Sequence, residues 1–332
     1  MKDLDNIILS VEDLHVIFKT YLGTVHALNG VYLEVGKGES VGLVGETGCG
    51  KSTLGLSIVR LLDESAKIVR GKIVFNGESI LEKSSEEMRE IRRKYISLIF
   101  QDPTAALNPV HKIGDQLVEA LQMSKGLKRM EALEEGAKIL SMLGIPDSRK
   151  VMEQYPHELS GGMRQRVMIA IALSKNPLLL IADEPTSNLD VTIQAQILEL
   201  ISDLRKNTQM SLLLITHDMG IVAQVCEKVA VMYAGQVIEF GKVRDVFKNP
   251  LHPYTQGLLK VANLVGEKTR LESIPGTIPD LRNLPPGCLF ASRCPYRFDK
   301  CLRSRPSNIV LDGKRSVACW LVEDKVNKFG PS

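Results

Sequence analysis

Apolar and polar positions alternate over the first 40 residues, as in Val31-Tyr32-Leu33-Glu34-Val35, and this period of two predicts antiparallel strands. The pattern then changes. Val41–Val44 is an unbroken apolar run, as expected of a strand buried on both faces, and Leu54-Gly-Leu-Ser-Ile-Val-Arg-Leu-Leu62 reads as an apolar helix. Gly71–Ile80 predicts a hairpin with Asn76-Gly77 at its turn. From about Thr104 to Leu173 the periodicity is helical, and Met163, Val167, Ala170 and Ile171 fall on one face of the last helix. Leu178–Ala182 predicts a second buried strand. A helix follows with Ile193, Ile197, Leu200, Ile201 and Leu204 on one side, then the strand Ser211–Thr216 and a hairpin over Val229–Gly241 turning near Gly235. Beyond about Asn249 the prolines at 250, 253, 275, 279, 285 and 286 interrupt any period. The reading is an α/β domain over residues 1–248, without internal repeat, and a smaller extension over 249–332.

Composition narrows the class only slightly. The chain has 332 residues, 44% of them hydrophobic and 24% charged, and a net charge of +3 from 42 basic and 39 acidic side chains. That balance gives no footprint for nucleic acid or an anionic membrane surface. The longest apolar runs, as in Pro177–Ala182 and Val167–Leu173, fall far short of the roughly 20 residues a spanning helix needs. The N-terminus carries two acids before its first apolar stretch and lacks a cleavage pattern. A cytoplasmic protein is expected, held at a membrane, if at all, by a partner.

Chemistry enters with Gly45-Glu46-Thr47-Gly48-Cys49-Gly50-Lys51-Ser52-Thr53, which fits G-x-x-x-x-G-K-[ST] between a strand and a helix. Its glycines let backbone N–H groups turn onto phosphate without a Cβ in the way. Lys51 supplies a point charge to the β- and γ-phosphates, Ser52 a hydroxyl to Mg²⁺, and the following helix its positive end. Cys49 reads as a small filler. Asp183 and Glu184 end the strand Leu178–Ala182, where ligands bind in open α/β sheets. Asp183 is expected to hold Mg²⁺ through water and Glu184 to activate the attacking water. Ser160-Gly161-Gly162 open another helix and form a second anion site. Lys51 already accounts for one nucleotide, so this site is expected to grip the γ-phosphate of a nucleotide held by another chain, in a head-to-tail dimer.

Leu159-Ser160-Gly161-Gly162-Met163 with Gln165 resembles the signature of ATP-binding cassette (ABC) proteins, and the other motifs stand in the family's order. Gln101 resembles the Q-loop glutamine, which touches Mg²⁺ or water and senses the membrane partner. Ser187-Asn188-Leu189-Asp190 resembles the D-loop, with Asn188 where the family has alanine. His217 resembles the switch histidine that contacts the γ-phosphate. The family stacks an aromatic residue on adenine; Tyr21 is the first choice and Phe18 the rival, while strand packing would account for either. The resemblance implies a P-loop NTPase fold of the ABC type: a mixed-sheet core, an antiparallel β subdomain and a helical signature subdomain at about 104–173.

Four of the six cysteines, Cys288, Cys294, Cys301 and Cys319, gather near the C-terminus at spacing C-x5-C-x6-C-x17-C. Disulfides are disfavoured in a reducing cytosol, and unrelated buried cysteines leave the clustering unexplained. The spacing is neither the close pairing of structural zinc nor a ferredoxin run, and leaves zinc and iron–sulfur open as occupants of a four-thiolate site. The segments His252–Leu259 and Gly287-Cys-Leu-Phe-Ala-Ser-Arg-Cys-Pro295 resemble the C-terminal extension of the oligopeptide, dipeptide and nickel importer ATPases, with dipeptide importers nearest in pattern. That resemblance implies a 4Fe–4S cluster on the four cysteines, serving as a structural clip or a redox sensor.

The resemblance further implies ATP and Mg²⁺ as cofactors and a peripheral position on the cytoplasmic face of the membrane. Its expected partners are two transmembrane permease subunits, a sister ATPase chain and, indirectly, an extracytoplasmic substrate-binding protein. The rival readings are an importer of nickel or another solute and, in a different class, a soluble ABC ATPase acting on nucleic acid or ribosomes. The latter carry a long coiled-coil insertion or two cassettes, and this chain has neither pattern.

Overall fold

A computed structural model describes residues 6–187, 189–263, 274–311 and 315–323. Contacts divide the chain into two compact units. One comprises Met1–Ile8, Gly36–Glu39 and Glu82–Leu214; the other comprises Leu9–Val35, Ser40–Leu81 and Ile215–Ser332.

The first unit combines a parallel strand pair with a layer of helices. Strands Ile96–Ile99 and Leu179–Asp183 run in register from Ile96 opposite Leu179 to Ile99 opposite Ala182. The strand Ser211–Thr216 follows Leu179–Asp183 in the order. Unbroken apolar runs suit strands covered on both faces, and Leu179 to Ala182 are each fully buried. The helices Ile113–Lys125, Arg129–Met142 and Gly161–Ser174 pack through residues such as Leu117, Leu121, Leu140 and Val167. Ile113–Lys125 and Arg129–Met142 approach closely because Gly136 has no side chain: a Cβ there would lie 2.9 Å from Leu117.

Two of the predicted apolar faces are rotated or widened. In Gly161–Ser174, Val167 and Ala170 are buried, but so are Gln165, Met168, Ile169 and Ala172, while Met163 and Ile171 are half-exposed. In the helix Val191–Thr208, Ile197 and Ile201 are buried as expected. Leu198 and Arg205 join them, and Ile193, Leu200 and Leu204 are only half-buried. Arg205 turns inward because its Nη1 donates to the Gly38 carbonyl at 2.6 Å.

The second unit holds two sheets. One is four-stranded and antiparallel, in the order Gly23–Gly36, Ile7–Thr20, Ala66–Phe75, Glu78–Ser79. Asn76 and Gly77, at φ 48 and 85, form its last turn, as the Asn-Gly pair predicts. The other is mixed, running Ile309–Leu311, Arg315–Val317, Gln236–Lys242, Lys228–Tyr233, Ser40–Val44. Ser40–Val44 lies parallel to Lys228–Tyr233, with Val41 opposite Lys228. Ala234 and Gly235, at φ 45 and 80, turn the hairpin into Gln236–Lys242. Residues on both sides of position 249 therefore share one sheet, since Arg315–Val317 pairs with Gln236–Lys242 at Glu239 opposite Val317. The proline-rich segment also packs on that hairpin. Ring centroids of Tyr233 and Tyr254 lie 4.7 Å apart, those of Tyr233 and Phe290 5.2 Å, and those of Tyr254 and Phe290 5.4 Å. Among the described residues no helix is long and apolar enough to cross a membrane.

Candidate active site

In the second unit the strand Ser40–Val44 delivers the chain into the loop Gly45–Gly50, and the helix Lys51–Ile58 leaves it. The backbone is possible only with glycine at two points. A Cβ on Gly45 would sit 2.2 Å from the Met232 carbonyl, and one on Gly50, at φ 105, 2.7 Å from the Ala27 carbonyl. Thr47 and Gly48 form the exposed tip, Gly48 with open space around it, and Ser52 and Thr53 are half-buried in the first turn of the helix. The Lys51 side chain folds back over the loop, its Nζ donating to the Gly45 carbonyl at 2.8 Å and the Glu46 carbonyl at 3.1 Å. Cys49 is fully buried, and burial pushes its thiol up from the usual range, which makes it an inert filler. Its carbonyl accepts from Gly235 N–H at 2.9 Å, tying the loop to the closing hairpin.

His217, in the same unit, is exposed just past the strand Ser211–Thr216. Asp218 fixes this bend: its carboxylate caps the helix Met219–Val225 by accepting from Gly220 N–H at 2.7 Å and Ile221 N–H at 3.3 Å, and its own N–H donates to Thr216 Oγ1 at 3.0 Å. The Thr-His-Asp triplet carried that signal. Tyr21 occupies the turn between the first two strands and is 96% exposed, so strand packing does not account for it; Phe18 is half-buried within the strand.

In the first unit Asp183 ends its strand with 8% exposure, and Glu184 follows at φ 45. Non-glycine residues are rare in this left-handed region, and such strain concentrates where a side chain must be aimed. Gln101 reaches Glu184 directly: its Nε2 donates to Glu184 Oε2 at 3.3 Å. Ser160 caps the helix Gly161–Ser174, its Oγ accepting from Met163 N–H at 3.3 Å. Nothing lies within 4 Å of where a Gly161 Cβ would stand, so the first turn is open on that side. Gln165 is the residue the pattern placed but did not explain. It is fully buried and donates to the Pro185 carbonyl at 2.6 Å, which couples this helix to the segment after Glu184. Of the D-loop, Ser187 Oγ donates to the Glu184 carbonyl at 3.2 Å; Asn188 lies outside the described residues.

Cys288, Cys294, Cys301 and Cys319 are all free and line one small cavity of the second unit, beside His252 and Trp320. Gly287 brings the strands of this loop together: its Cβ would meet the Cys301 carbonyl at 2.2 Å, and Cys288 N–H donates to that carbonyl at 2.8 Å. Burial pushes the Cys288 thiol up to about 11 and raises Cys294 and Cys319 as well. The donor chemistry fits a four-thiolate group, because a cation would supply the charge needed to ionise these thiols. Among the described residues, however, no three His, Cys, Asp or Glu side chains are spaced to hold a metal ion, so the metal clip expected from the sequence is not established.

Residues 28–187 match the ABC transporter family, and residues 238–301 the family described as the oligopeptide/dipeptide transporter C-terminal region. The chain is 50% identical over 320 residues to the dipeptide transport ATP-binding protein DppD of Bacillus subtilis, covering 96% of each. It is 46% identical to the oligopeptide transport ATP-binding protein OppD of Salmonella typhimurium, covering 95% of this chain and 94% of that one. A dimeric ATP-binding cassette solved with ADP and phosphate superposes with a TM-score of 0.65 at 26% identity, covering 71% of this chain and 99% of that one.

Proposed function

From the premise that the chain belongs to the ATP-binding subunits of the ABC peptide transporters, we propose that it powers uptake of dipeptides or oligopeptides through separate permease subunits. It is an ABC-type ATPase. The observation that carries the cargo reading is near-complete coverage of the peptide-transport relatives, including the C-terminal region. A nickel importer shares the same cassette; a soluble nucleic-acid or ribosomal ATPase would not call for that extension. The test is uptake of a labelled dipeptide in cells lacking this gene, with complementation by the gene and with nickel uptake as the control arm. Loss of nickel uptake alone overturns the peptide reading.

Each side chain has a role in the proposal. The loop Gly45–Thr53 wraps the phosphates, with Lys51 at the β- and γ-phosphates and Tyr21 on adenine. Ser52, Asp183 and Gln101 would hold Mg²⁺, directly or through water. Glu184 polarises the attacking water, and His217 orients the γ-phosphate. Ser160, Gly161 and Gly162 grip the nucleotide of a second chain, a sister ATPase, in a head-to-tail pair; the open first turn of their helix supports this. ATP closes the pair and hydrolysis reopens it. The chain works peripherally, on the cytoplasmic face, with two permease subunits and an extracytoplasmic binding protein. The groove near Gln101 is the surface that would take the permease.

The four C-terminal cysteines would hold a 4Fe–4S cluster that acts as a structural clip, since a small irregular segment gains most from a cross-link. Purified anaerobically, the protein is expected to be brown, with about four irons and four sulfides per chain. Stoichiometric zinc without sulfide, or no metal, overturns that assignment.

A further inference from the structure

Glu46 is an electrostatic anomaly. It is the second residue of the loop Gly45–Thr53, so the backbone meant to receive a polyphosphate carries an acidic side chain. An uncompensated negative charge there opposes an anionic ligand. The structure answers it from 247 positions along the chain. Arg293 forms a two-pronged pair with Glu46: Nη1 donates to Oε2 at 2.7 Å and Nη2 to Oε1 at 2.9 Å. The Arg293 side chain is 4% exposed, and that of Glu46 28%, so solvent screens the pair weakly.

The guanidinium is itself held in place. Arg293 Nε donates to the Pro275 carbonyl at 2.9 Å, and Nη2 also to the Ile274 carbonyl at 3.1 Å. The Glu46 main chain is clamped from the same side: its N–H donates to the Tyr254 hydroxyl at 2.9 Å. Arg293 and Tyr254 both belong to the C-terminal extension, outside every cassette motif. Arginine suits this post because its planar fork matches a carboxylate and it stays charged.

We infer that Arg293 is a positioning residue for the nucleotide: its buried guanidinium cancels the charge of Glu46, so that the phosphate loop presents a positive field to ATP. The inference rests on the reading that Gly45–Thr53 binds ATP. A strut that merely braces the loop would use the same contacts but would not depend on the sign of the charge. The two differ in what happens when both charges are removed together.

The test is equilibrium binding of MgATP and MgADP to the purified full-length chain at low and high salt, with steady-state ATPase kinetics. Arg293→Gln is expected to raise the Kd for ATP about tenfold, and that for the less charged ADP by less. The defect shrinks at high salt, and kcat at saturating ATP falls less than the affinity does. Glu46→Gln combined with Arg293→Gln returns the ATP Kd to within about threefold of native, and Arg293→Lys lies between native and Arg293→Gln. An unchanged Kd in Arg293→Gln overturns the inference, as does a defect that the double variant fails to relieve. Should Arg293→Gln not fold, Glu46→Gln alone decides: it tightens ATP binding if Arg293 acts by charge, and weakened binding overturns the inference. A native chain that binds no ATP overturns the polyphosphate reading itself, and the inference with it.

Discussion

Glu184→Gln is expected to lower ATP turnover by about 10²–10⁴-fold while leaving ATP-driven pairing of two chains intact. The amide is isosteric with the carboxylate, and its oxygen can still accept from Gln101 Nε2, the bond now seen at 3.3 Å. The φ of 45 at this position aims the side chain through the backbone and does not depend on the carboxylate's charge. Only basicity is lost. The proposed phosphate contacts of Lys51 and of the first turn at Ser160–Gly162 would be untouched by this change, so association and hydrolysis are expected to come apart. Phosphate release measured alongside sedimentation with ATP reads both. Hydrolysis near the native rate would remove Glu184 from its role as base.

The largest effect on stability is expected at Glu239. Its carboxylate is fully buried in the strand Gln236–Lys242. It accepts from Leu251 N–H at 3.0 Å, His252 N–H at 2.9 Å and Arg315 Nη2 at 2.8 Å. His252 offers no second cation, because complete burial drives its imidazole down to about 3 and leaves it neutral. Among the described residues, Arg315, with 17% side-chain exposure, is therefore the charge that balances Glu239. Glu239→Ala takes the counter-charge from that guanidinium, which still donates to the Asn249 carbonyl, and the acceptor from two N–H groups, a loss of about 3–5 kcal/mol. Urea unfolding followed by fluorescence and circular dichroism gives the figure. In a double-mutant cycle, Glu239→Ala with Arg315→Met should lose less than the sum of the two single changes. A Glu239→Ala protein within about 1 kcal/mol of native would deny the pair its importance.

The strands Ser40–Val44 and Leu179–Asp183 were legible because unbroken apolar runs bounded by glycine or proline have few other readings. The same holds for the hairpin turns at Asn76-Gly77 and Ala234-Gly235, where left-handed backbone selects the residues. Helix faces were less legible. A period of 3.6 reports one apolar stripe, whereas Gly161–Ser174 is covered on most sides from Gln165 onward, and Arg205 turns inward to reach a carbonyl 167 residues away. Among the proposed site residues, Lys51, Asp183, Glu184 and His217 were read from local motifs. Asp218 and Gln165 were not assigned roles, since each acts by bonding backbone that a motif does not name. The proline-rich texture suggested an extension with no core of its own. It gains one from Tyr233, Tyr254 and Phe290, which are too far apart in sequence for any periodicity to register. The clustering of four cysteines near the C-terminus anticipated that they line one cavity.

The three-residue strands Ile309–Leu311 and Arg315–Val317 lie outside the hairpin strand Gln236–Lys242. A stop after Lys248 would remove the strand that pairs with Glu239 and Phe240, and leave that stretch of the hairpin edge as a template for foreign chains. Such a fragment, though it retains every motif of the cassette, is expected in the insoluble fraction on expression; a soluble monomer would contradict this. Translation products that stop before Val317 would thus remove themselves from the cell's stock of nucleotide-consuming machinery.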